Sequence, residues 1–285
     1  SGGLVLLQTL NILENFDINS KGHNSASSIH YLSESMIRAF ADRAKHHGDP
    51  DYYNVPVKDL LSKSYSKEGS ETIKENIKTP DELILAGDFK RADESPDTTH
   101  LSVIDEDGNA ISLTYTLGSS FGSGVTVAKG GFLLNNQMRN FSHYYGDDTA
   151  EYGKSEANKL DPGKRMISTQ APSMVFNSSG DLSMVLGSPG GGRIPNILTQ
   201  VISNIVDHNL GFAEAVMAPR INQRVADDLE VETGISPDTI NLLESFGHTT
   251  RPTNTMGSVQ AIFIEDNKIY GVADTRRPDA IAKGK

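Results

Sequence analysis

The clearest hydrophobic pattern in the first third of the chain has the period of an α-helix. Apolar side chains recur three or four positions apart at Ile29, Leu32, Met36, Ile37, Phe40 and Ala44. This spacing places them on one helix face, and Gly48-Asp49-Pro50 ends the pattern because glycine and proline interrupt helices. We therefore predict a helical region over residues 1–77. Residues 78–97 are charged, contain two prolines and are predicted to form an exposed linker.

From residue 98 onward the pattern alternates with the period of a β-strand. Short strands are predicted at 99–104, 110–117, 130–135, 172–177, 182–186, 258–264 and 268–273. Two helices interrupt them: one follows the glycine run at 190–192, and one begins at Ser236-Pro237. Blocks of helices and strands in this order predict an α+β fold rather than a doubly wound parallel sheet.

The strands at 99–104 and 110–117 are predicted to form a hairpin around Asp107. In one register, Leu101 faces Leu113 on an apolar side, and His100 faces Thr114 on a polar side. A shift by one residue would mix the two sides, so the first register is favoured. The favoured register also sets Thr98 opposite Thr116 at the open end of the hairpin.

Composition narrows the possible functions. The chain has 285 residues, no cysteine and a formal net charge of -11. The absence of cysteine excludes disulfides, thiolate metal sites and cysteine nucleophiles, and the acidic balance is unfavourable for nonspecific nucleic-acid binding. No apolar run approaches the roughly 20 residues of a membrane-spanning helix. The chain opens on Ser-Gly-Gly without a methionine, and no signal peptide is visible.

Thr98 and Thr116 support two interpretations. Threonine is common in strands, which explains both residues without any chemistry. Alternatively, a threonine that follows a cleavable linker becomes an N-terminal residue once the chain is cut before it. Its hydroxyl is then a nucleophile and its own α-amino group is the base, while Thr116 orients the hydroxyl by a hydrogen bond. This chemistry requires no separate histidine.

The segment "LGSPGGGRIP" joins a predicted strand to a predicted helix. Successive glycines allow backbone N–H groups to converge, and the helix N-terminus adds positive potential. The loop is therefore a candidate anion site or oxyanion hole, with a plain glycine-rich turn as the alternative. Phosphate binding is disfavoured because the Gly-Lys-Ser/Thr of a P-loop is absent.

The eight histidines are scattered, and the one cluster is His46-His47 in "HHGDP". We interpret this stretch as a solvated helix end rather than as a metal site. No metal and no cofactor are predicted.

Several motifs occur together and in one order: "FADR" followed by "GDP", "TTHLSVID", "DGNAISLTYTL", "GFLLNNQM", "GSPGGGRIPNILTQVISNIVD" and "AVMAPRI". This combination resembles the γ-glutamyltransferase family of N-terminal nucleophile (Ntn) hydrolases over nearly the whole chain. The resemblance implies an α+β, four-layer αββα sandwich, from which the upstream half of the large subunit is absent here. It also implies self-cleavage between Asp97 and Thr98, an extracellular, periplasmic or cell-envelope location, and no cofactor.

The same resemblance assigns roles to parts of the chain. Residues 1–97 correspond to the end of a large subunit, whose remainder is the implied partner, and residues 98–285 correspond to a small subunit. The implied catalytic residues are the nucleophile Thr98, the supporting Thr116, and the oxyanion-hole residues Gly190 and Gly191. The implied substrate contacts are Ser168 and Thr169 for the α-carboxylate, and Asn136, Gln137 and Asn140 for the α-amino group.

Three residues in the implied substrate pocket depart from the family pattern. Gly118 stands where the family has asparagine or glutamate, and Arg139-Asn140 stands where the family has an acidic pair. An aspartate that would pair with the substrate ammonium is therefore missing. The expected substrates are γ-glutamyl amides of the glutathione type, with water or an amine as acceptor. Poly-γ-glutamate, or a non-glutamyl acyl group as in cephalosporin acylases, is the alternative.

Arginines provide the positive charge that an acidic polymer substrate would need. The candidates are Arg139, Arg193, Arg276 and Arg277. A solvated surface charge is the alternative interpretation of each. The departures in the pocket also leave open a different class of function, that of a catalytically silent fragment that acts through binding.

Overall fold

The computed structural model describes residues 1–84, 98–142 and 155–284. Asp97 and most of the predicted linker lie outside the described residues. The helices are α1 (Gly2–Leu13), α2 (Ile18–Lys21), α3 (Ala26–His46), α4 (Val57–Leu60), α5 (Lys63–Glu71), α6 (Ile194–Val206), α7 (Phe212–Met217) and α8 (Pro237–Ser245). The strands are β1 (Thr99–Ile104), β2 (Ala110–Tyr115), β3 (Ser173–Phe176), β4 (Leu182–Gly187), β5 (Ile221–Asn222), β6 (Leu229–Glu232), β7 (Thr250–Thr253), β8 (Gln260–Glu265) and β9 (Lys268–Ala273).

The described residues form two compact units. The first consists of residues 1–84, 138–142, 155–168 and 219–254, and the second of residues 98–137, 169–218 and 255–284. None of the helices in the described ranges combines the length and the apolar content that a membrane crossing requires.

The first unit is built around α3, where the predicted helix is confirmed. The Ser25 side chain caps the helix by accepting a hydrogen bond from the Ser28 N–H. The predicted stripe is buried up to Phe40, with Met36 and Ile37 almost completely removed from solvent, whereas Ala44 is half-buried. The helix ends at His46, directly before the predicted turn at Gly48.

The first unit also contains a three-stranded sheet that the sequence pattern did not predict. β6 lies in the middle, antiparallel to β5 and parallel to β7. Its sequence Leu-Glu-Val-Glu alternates like a half-exposed strand, yet all four residues are buried. The Glu230 carboxylate accepts a hydrogen bond from Asn222 Nδ2 at 2.7 Å and forms an ion pair with Arg251. Such distant partners leave no trace in the local hydrophobic pattern.

The second unit contains an antiparallel sheet with the strand order β3-β4-β8-β9. All four strands fall where the alternation predicts them. α6 follows β4 after a short loop, and its side chains Ile197, Leu198 and Val201 are completely buried. The sheet and the helix therefore fix both ends of the glycine loop. The α+β fold class is confirmed.

The predicted hairpin register is confirmed over all six pairs of β1 and β2. The buried face of the hairpin is the polar one. Ser102 Oγ donates a hydrogen bond to the Gln260 carbonyl oxygen at 3.1 Å, and Ser112 Oγ donates to the Leu186 carbonyl oxygen at 3.0 Å. These bonds attach the hairpin to β4 and β8 through hydroxyl groups rather than through an apolar core.

The opposite side of the hairpin, formed by Leu101, Val103, Ile111 and Leu113, is called the apolar hairpin face below. These four side chains are 43–57% exposed. An exposed cluster of large aliphatic side chains is typical of a surface that packs against another polypeptide.

The predicted strand at 130–135 is wrong. Thr126 and Leu133 form an isolated bridge, and no longer ladder develops in this described part of the chain. Four glycines at 118, 122, 124 and 131 have positive φ angles. These angles turn the backbone repeatedly, so the alternating sequence cannot extend into a strand.

Candidate active site

Thr98 lies directly before β1 and is 9% exposed. Its carbonyl oxygen accepts a hydrogen bond from Arg277 Nη1 at 2.9 Å. A cavity of about 420 Å³ lies beside the next residue; its lining includes Thr99, Pro189 and Arg277, but not Thr98, Thr116, Gly190 or Gly191. The start of β1 and the beginning of the glycine loop therefore open into the same cavity.

Thr116 lies directly after β2. Continuing the hairpin register one residue beyond the pair Thr99–Tyr115 sets Thr116 opposite Thr98. Thr116 Oγ1 accepts a hydrogen bond from the Gly118 N–H at 3.0 Å. This bond fixes the hydroxyl oxygen of Thr116 at the open end of the hairpin.

His100 is buried between the hairpin and the four-stranded sheet. Its Nδ1 hydrogen-bonds with Thr114 Oγ1 at 2.8 Å, and its Nε2 with Ser102 Oγ at 3.1 Å. The ring lies against Gly187, where a Cβ atom would come within 2.2 Å of the imidazole Cε1. Burial lowers the pKa of His100 to about 4. The neutral ring thus acts as a spacer between β1 and β4, a role that sequence reasoning missed. Gly187 at the end of a buried strand is the one sequence signal that marks the close approach.

The glycine loop has the backbone conformation that its sequence predicts. Gly190 and Gly191 have φ angles of 145° and 56°, which favour glycine over other residues. A Cβ atom on Gly190 would lie 3.0 Å from Ile197 Cδ1. One turn of 3₁₀ helix over Gly191–Arg193 leads into α6, whose N-terminus contributes positive potential. The loop therefore stays a candidate anion site.

Thr169 contacts this loop directly. It is 4% exposed, and its Oγ1 donates a hydrogen bond to the Gly191 carbonyl oxygen at 2.9 Å. The structure thus brings together one residue of the implied carboxylate pair and one residue of the implied oxyanion hole.

Gly118 and Asn136 occupy the same place in the structure. A Cβ atom on Gly118 would lie 2.0 Å from Asn136 Oδ1. The Asn136 side chain forms two hydrogen bonds with Ser119. Its Oδ1 accepts from the Ser119 N–H at 2.9 Å, and its Nδ2 donates to the Ser119 Oγ at 2.8 Å. Asn136 therefore shapes the turn after β2, and the position of its amide explains why no side chain is present at 118.

The remaining implied substrate contacts lie on one short helix and on one segment without regular secondary structure. Gln137, Arg139 and Asn140 belong to the 3₁₀ helix Gln137–Asn140, and all three are half-buried. Ser168 is also half-buried, and its carbonyl oxygen accepts a hydrogen bond from the Gly2 N–H at 3.0 Å.

The interpretation of Arg276 as a charge for an acidic polymer is wrong, because the protein itself uses this guanidinium. Arg276 forms an ion pair with the fully buried Asp274 at 3.1 Å. It also donates hydrogen bonds to the carbonyl oxygens of Val216 at 3.2 Å and Ala218 at 2.9 Å. Arg276 therefore fixes the C-terminal segment to the end of α7.

The interpretation of "HHGDP" as a solvated helix end is also wrong. His47 is 1% exposed and Asp49 is 3% exposed. Burial lowers the pKa of His47 to about 3. Asp49 accepts hydrogen bonds from both the backbone N–H and the guanidinium of Arg165, and these bonds hold the pKa of its carboxyl well below the usual range. The motif is an internal contact with residues 157–165.

His30, Glu34 and His248 form a buried cluster of possible metal ligands. His30 Nδ1 lies 2.8 Å from His248 Nε2, so these atoms share a hydrogen bond. The Glu34 carboxylate is already bound by Arg38 Nη1 at 2.7 Å and by the Thr79 N–H at 3.0 Å. The three side chains are thus joined to the protein by hydrogen bonds, and His248 Nδ1 is buried without a hydrogen-bond partner among the described residues.

Comparison with known proteins confirms the family that the motifs indicate. The sequence profile of the gamma-glutamyltranspeptidase family matches residues 1–284. The chain is 41% identical to the glutathione hydrolase proenzyme of Escherichia coli strain K12, covering 100% of this chain and 49% of the relative. It is 36% identical to the acylase ACY 1 proenzyme of Pseudomonas sp. strain SE83, with coverage of 100% and 49%. The chain thus spans about half the length of these relatives.

Solved structures agree with this assignment. A gamma-glutamyltranspeptidase from Pseudomonas nitroreducens complexed with L-DON is 37% identical, with a TM-score of 0.60 over 66% of this chain and 100% of that one. A cephalosporin acylase from Bacillus halodurans is 26% identical, with a TM-score of 0.80 over 100% of this chain and 50% of that one. The chain belongs to the gamma-glutamyltranspeptidase family.

Proposed function

We propose that this chain carries the nucleophile of a self-processing amidohydrolase that transfers or hydrolyses γ-glutamyl groups. The observation that supports this proposal best is the arrangement at the start of β1. Thr98 is buried there, Thr116 faces it by register, and Arg277 binds its carbonyl oxygen. The neighbouring residue Thr99 and Pro189, which precedes the three glycines of the loop, line one cavity.

The proposed processing step cuts the peptide bond between Asp97 and Thr98. Thr98 Oγ attacks the Asp97 carbonyl carbon, the C–N bond breaks, and the nitrogen takes up the hydroxyl proton. Water then hydrolyses the resulting ester. The products are a carboxylate on Asp97 and a Thr98 that has both a free hydroxyl and a free α-amine.

In the proposed catalytic cycle, the α-amine of Thr98 accepts the hydroxyl proton while Oγ attacks the γ-carbonyl carbon of the substrate. The protonated amine then delivers this proton to the departing amine, which leaves an acyl ester on Thr98. Water or a second amine attacks the ester with the proton transfers reversed. The N–H groups of Gly190 and Gly191 stabilise the intermediate oxyanion, at about 3 kcal/mol for each donor.

The proposed acyl pocket recognises the amino-acid head of the γ-glutamyl group. The contacts proposed for the α-carboxylate are Ser168 and Thr169, and those proposed for the α-amino group are Asn136, Gln137 and Asn140. Gly118 and Arg139 are proposed as further substrate contacts. Thr169 lies beside the glycine loop, and because its hydroxyl donates to the Gly191 carbonyl oxygen, this proton has to leave that oxygen before it can bind the α-carboxylate.

Glutathione-type amides are the first candidate substrates, because relatives at 41% and 39% identity are named glutathione hydrolase proenzymes. Asn140 favours a second candidate, since an amide pairs less strongly with an ammonium than a carboxylate does. Two kinds of substrate do not need a carboxylate at position 140. One is poly-γ-glutamate, whose internal residues lack a free ammonium, and the other is an amide with a non-glutamyl acyl group. The relatives named acylase are 36% identical.

The proposed partner is an upstream polypeptide that completes the large subunit. Two observations support this: the chain spans about half the length of its curated relatives, and the apolar hairpin face is exposed. An extracellular, periplasmic or cell-envelope location is proposed from family membership.

The proposal is tested with the chain produced together with an upstream half of the length that its relatives have. We expect mass spectrometry to find two fragments divided before Thr98, and we expect release of 4-nitroaniline from γ-glutamyl-4-nitroanilide. Thr98→Ala should remain uncut and inactive. The matched control is Thr99→Ala, a change at the neighbouring exposed threonine, which should still be cut. An uncut and inactive wild-type protein would instead support the silent binding function.

A further inference from the structure

The candidate contacts for the amino-acid head of the substrate lie on two separate segments of the first unit. Asn140 ends the 3₁₀ helix Gln137–Asn140, and Ser168 lies in a stretch without regular secondary structure after Lys164. A pocket that binds an α-amino group and an α-carboxylate on the same carbon needs these two segments at a fixed separation.

Asn158 joins the two segments through a single buried amide. The residue is 3% exposed. Its Nδ2 donates a hydrogen bond to the Asn140 carbonyl oxygen at 2.7 Å, and its Oδ1 accepts one from the Ile167 N–H at 3.1 Å. Its backbone carbonyl oxygen also accepts the Ser142 N–H at 2.9 Å. Both ends of the side chain are therefore used, one on each segment.

The turn of "GDP" supports the same region from the other side. Asp49 binds the backbone N–H of Arg165 at 2.8 Å and its Nε at 2.9 Å. Gly48 packs so closely that a Cβ atom would lie 2.1 Å from the Ala157 carbonyl oxygen. Residues 157–167 are thus fixed at several points, which gives the Asn158 amide a defined position rather than one that adapts to its partners.

We propose that Asn158 is a positioning residue that sets the separation between the α-amino contact at Asn140 and the α-carboxylate contact at Ser168. It acts on the backbone of residues 140 and 167. The inference rests on the proposed function and deepens it, because it assigns selectivity for amino-acid acyl groups to a residue outside the pocket. Removing the side chain should therefore weaken recognition of the head group more than it slows the chemistry.

The activity test uses four 4-nitroanilides that differ only in the head of the acyl group. The γ-glutamyl compound carries both the carboxylate and the amine, and the butyryl compound carries neither. The glutaryl compound carries only the carboxylate, and the 4-aminobutyryl compound carries only the amine. Asn158→Ala should lower kcat/KM for the γ-glutamyl compound about tenfold, mainly through a higher KM, because two hydrogen bonds are lost. The loss should be smaller for the compounds with one head group and absent for the butyryl compound. An equal loss for all four would overturn the proposal.

A second measurement decides the inference even if no anilide is cleaved. Amide hydrogen exchange is followed by mass spectrometry on the whole chain. Asn158→Ala should accelerate exchange in peptides that contain Ser142 and in those that contain Ile167, while the β3–β4 hairpin stays unchanged. Asn158→Asp keeps the acceptor for the Ile167 N–H, so Ile167 should remain protected while exchange at Ser142 rises.

The matched control is Asn177→Ala, which removes an exposed asparagine whose Oδ1 caps the β3–β4 turn by accepting from Ser179 and Asp181. It should alter exchange only near its own turn and leave the ranking of the four anilides unchanged. Unchanged exchange at Ser142 and Ile167 in Asn158→Ala would contradict the positioning role. Loss of all anilide cleavage by the wild type would contradict the proposed function alone.

Discussion

At the scale of single residues, Gly118 and Asn136 determine the shape of the turn after β2. Gly118 has a φ angle of 97°, and its missing Cβ leaves the space that Asn136 Oδ1 fills. The sequence shows that a glycine replaces the side chain expected at this position in the family. It does not show that the amide of residue 136 occupies the vacated space, because that requires knowing a contact between residues 18 positions apart.

Gly118→Ala should destabilise the protein by about 3 kcal/mol. Roughly 1 kcal/mol comes from the left-handed backbone, and roughly 2 kcal/mol comes from the overlap with Asn136. Gly108→Ala is the matched control, because Gly108 has a φ angle of 83° and open space within 4 Å of the point where a Cβ atom would be added. Urea unfolding measures both variants. Equal losses of stability would show that Asn136 does not restrict position 118.

At the scale of elements, the hairpin shows which features the sequence determines locally. The alternation of side chains was sufficient to predict the register, because a shift by one residue mixes apolar and polar positions. It was not sufficient to predict that the polar face is buried, since this depends on β4 and β8, which are distant in the chain. The β5–β7 sheet was missed for the same reason, because Glu230 is stabilised by distant partners.

The spacing between the hairpin and β4 should depend on the contact between His100 and Gly187. Gly187→Ala places a methyl group against the imidazole ring and should lower both stability and processing at Thr98. His100→Ser removes the ring, so it should relieve part of this overlap. In a double-mutant cycle we expect a coupling free energy of about 2 kcal/mol, with the double variant more stable than the sum of the single effects predicts. Additive losses would show that the two positions act independently.

At the scale of the whole molecule, three buried histidines make stability depend on pH. Burial lowers the pKa of His47 to about 3 and those of His100 and His248 to about 4. The unfolded chain binds these protons near pH 6.5. The free energy of unfolding is therefore highest above pH 6.5. It decreases as the pH falls towards 4, by on the order of 3 kcal/mol for each histidine, because only the unfolded chain takes up the protons.

The urea midpoint should fall steeply between pH 7 and pH 5. His248→Asn keeps a polar side chain beside His30 but cannot take up a proton, so its free energy of unfolding should decrease less with falling pH than that of the wild type. The difference in slope should approach about 1.4 kcal/mol per pH unit. Parallel curves for the wild type and the variant would contradict the assignment of this pH dependence to His248.

The most direct test of the central claim uses acid quenching during turnover of γ-glutamyl-4-nitroanilide to trap and map the covalent γ-glutamyl adduct on the chain joined to its upstream half. We predict that peptide mass spectrometry finds a new N-terminus at Thr98 and the adduct on that same residue. Thr98→Ala should give neither product, and Thr99→Ala should give both. An adduct on another residue, or an adduct on a chain that is still joined at Asp97–Thr98, would contradict the assignment of Thr98 as the nucleophile.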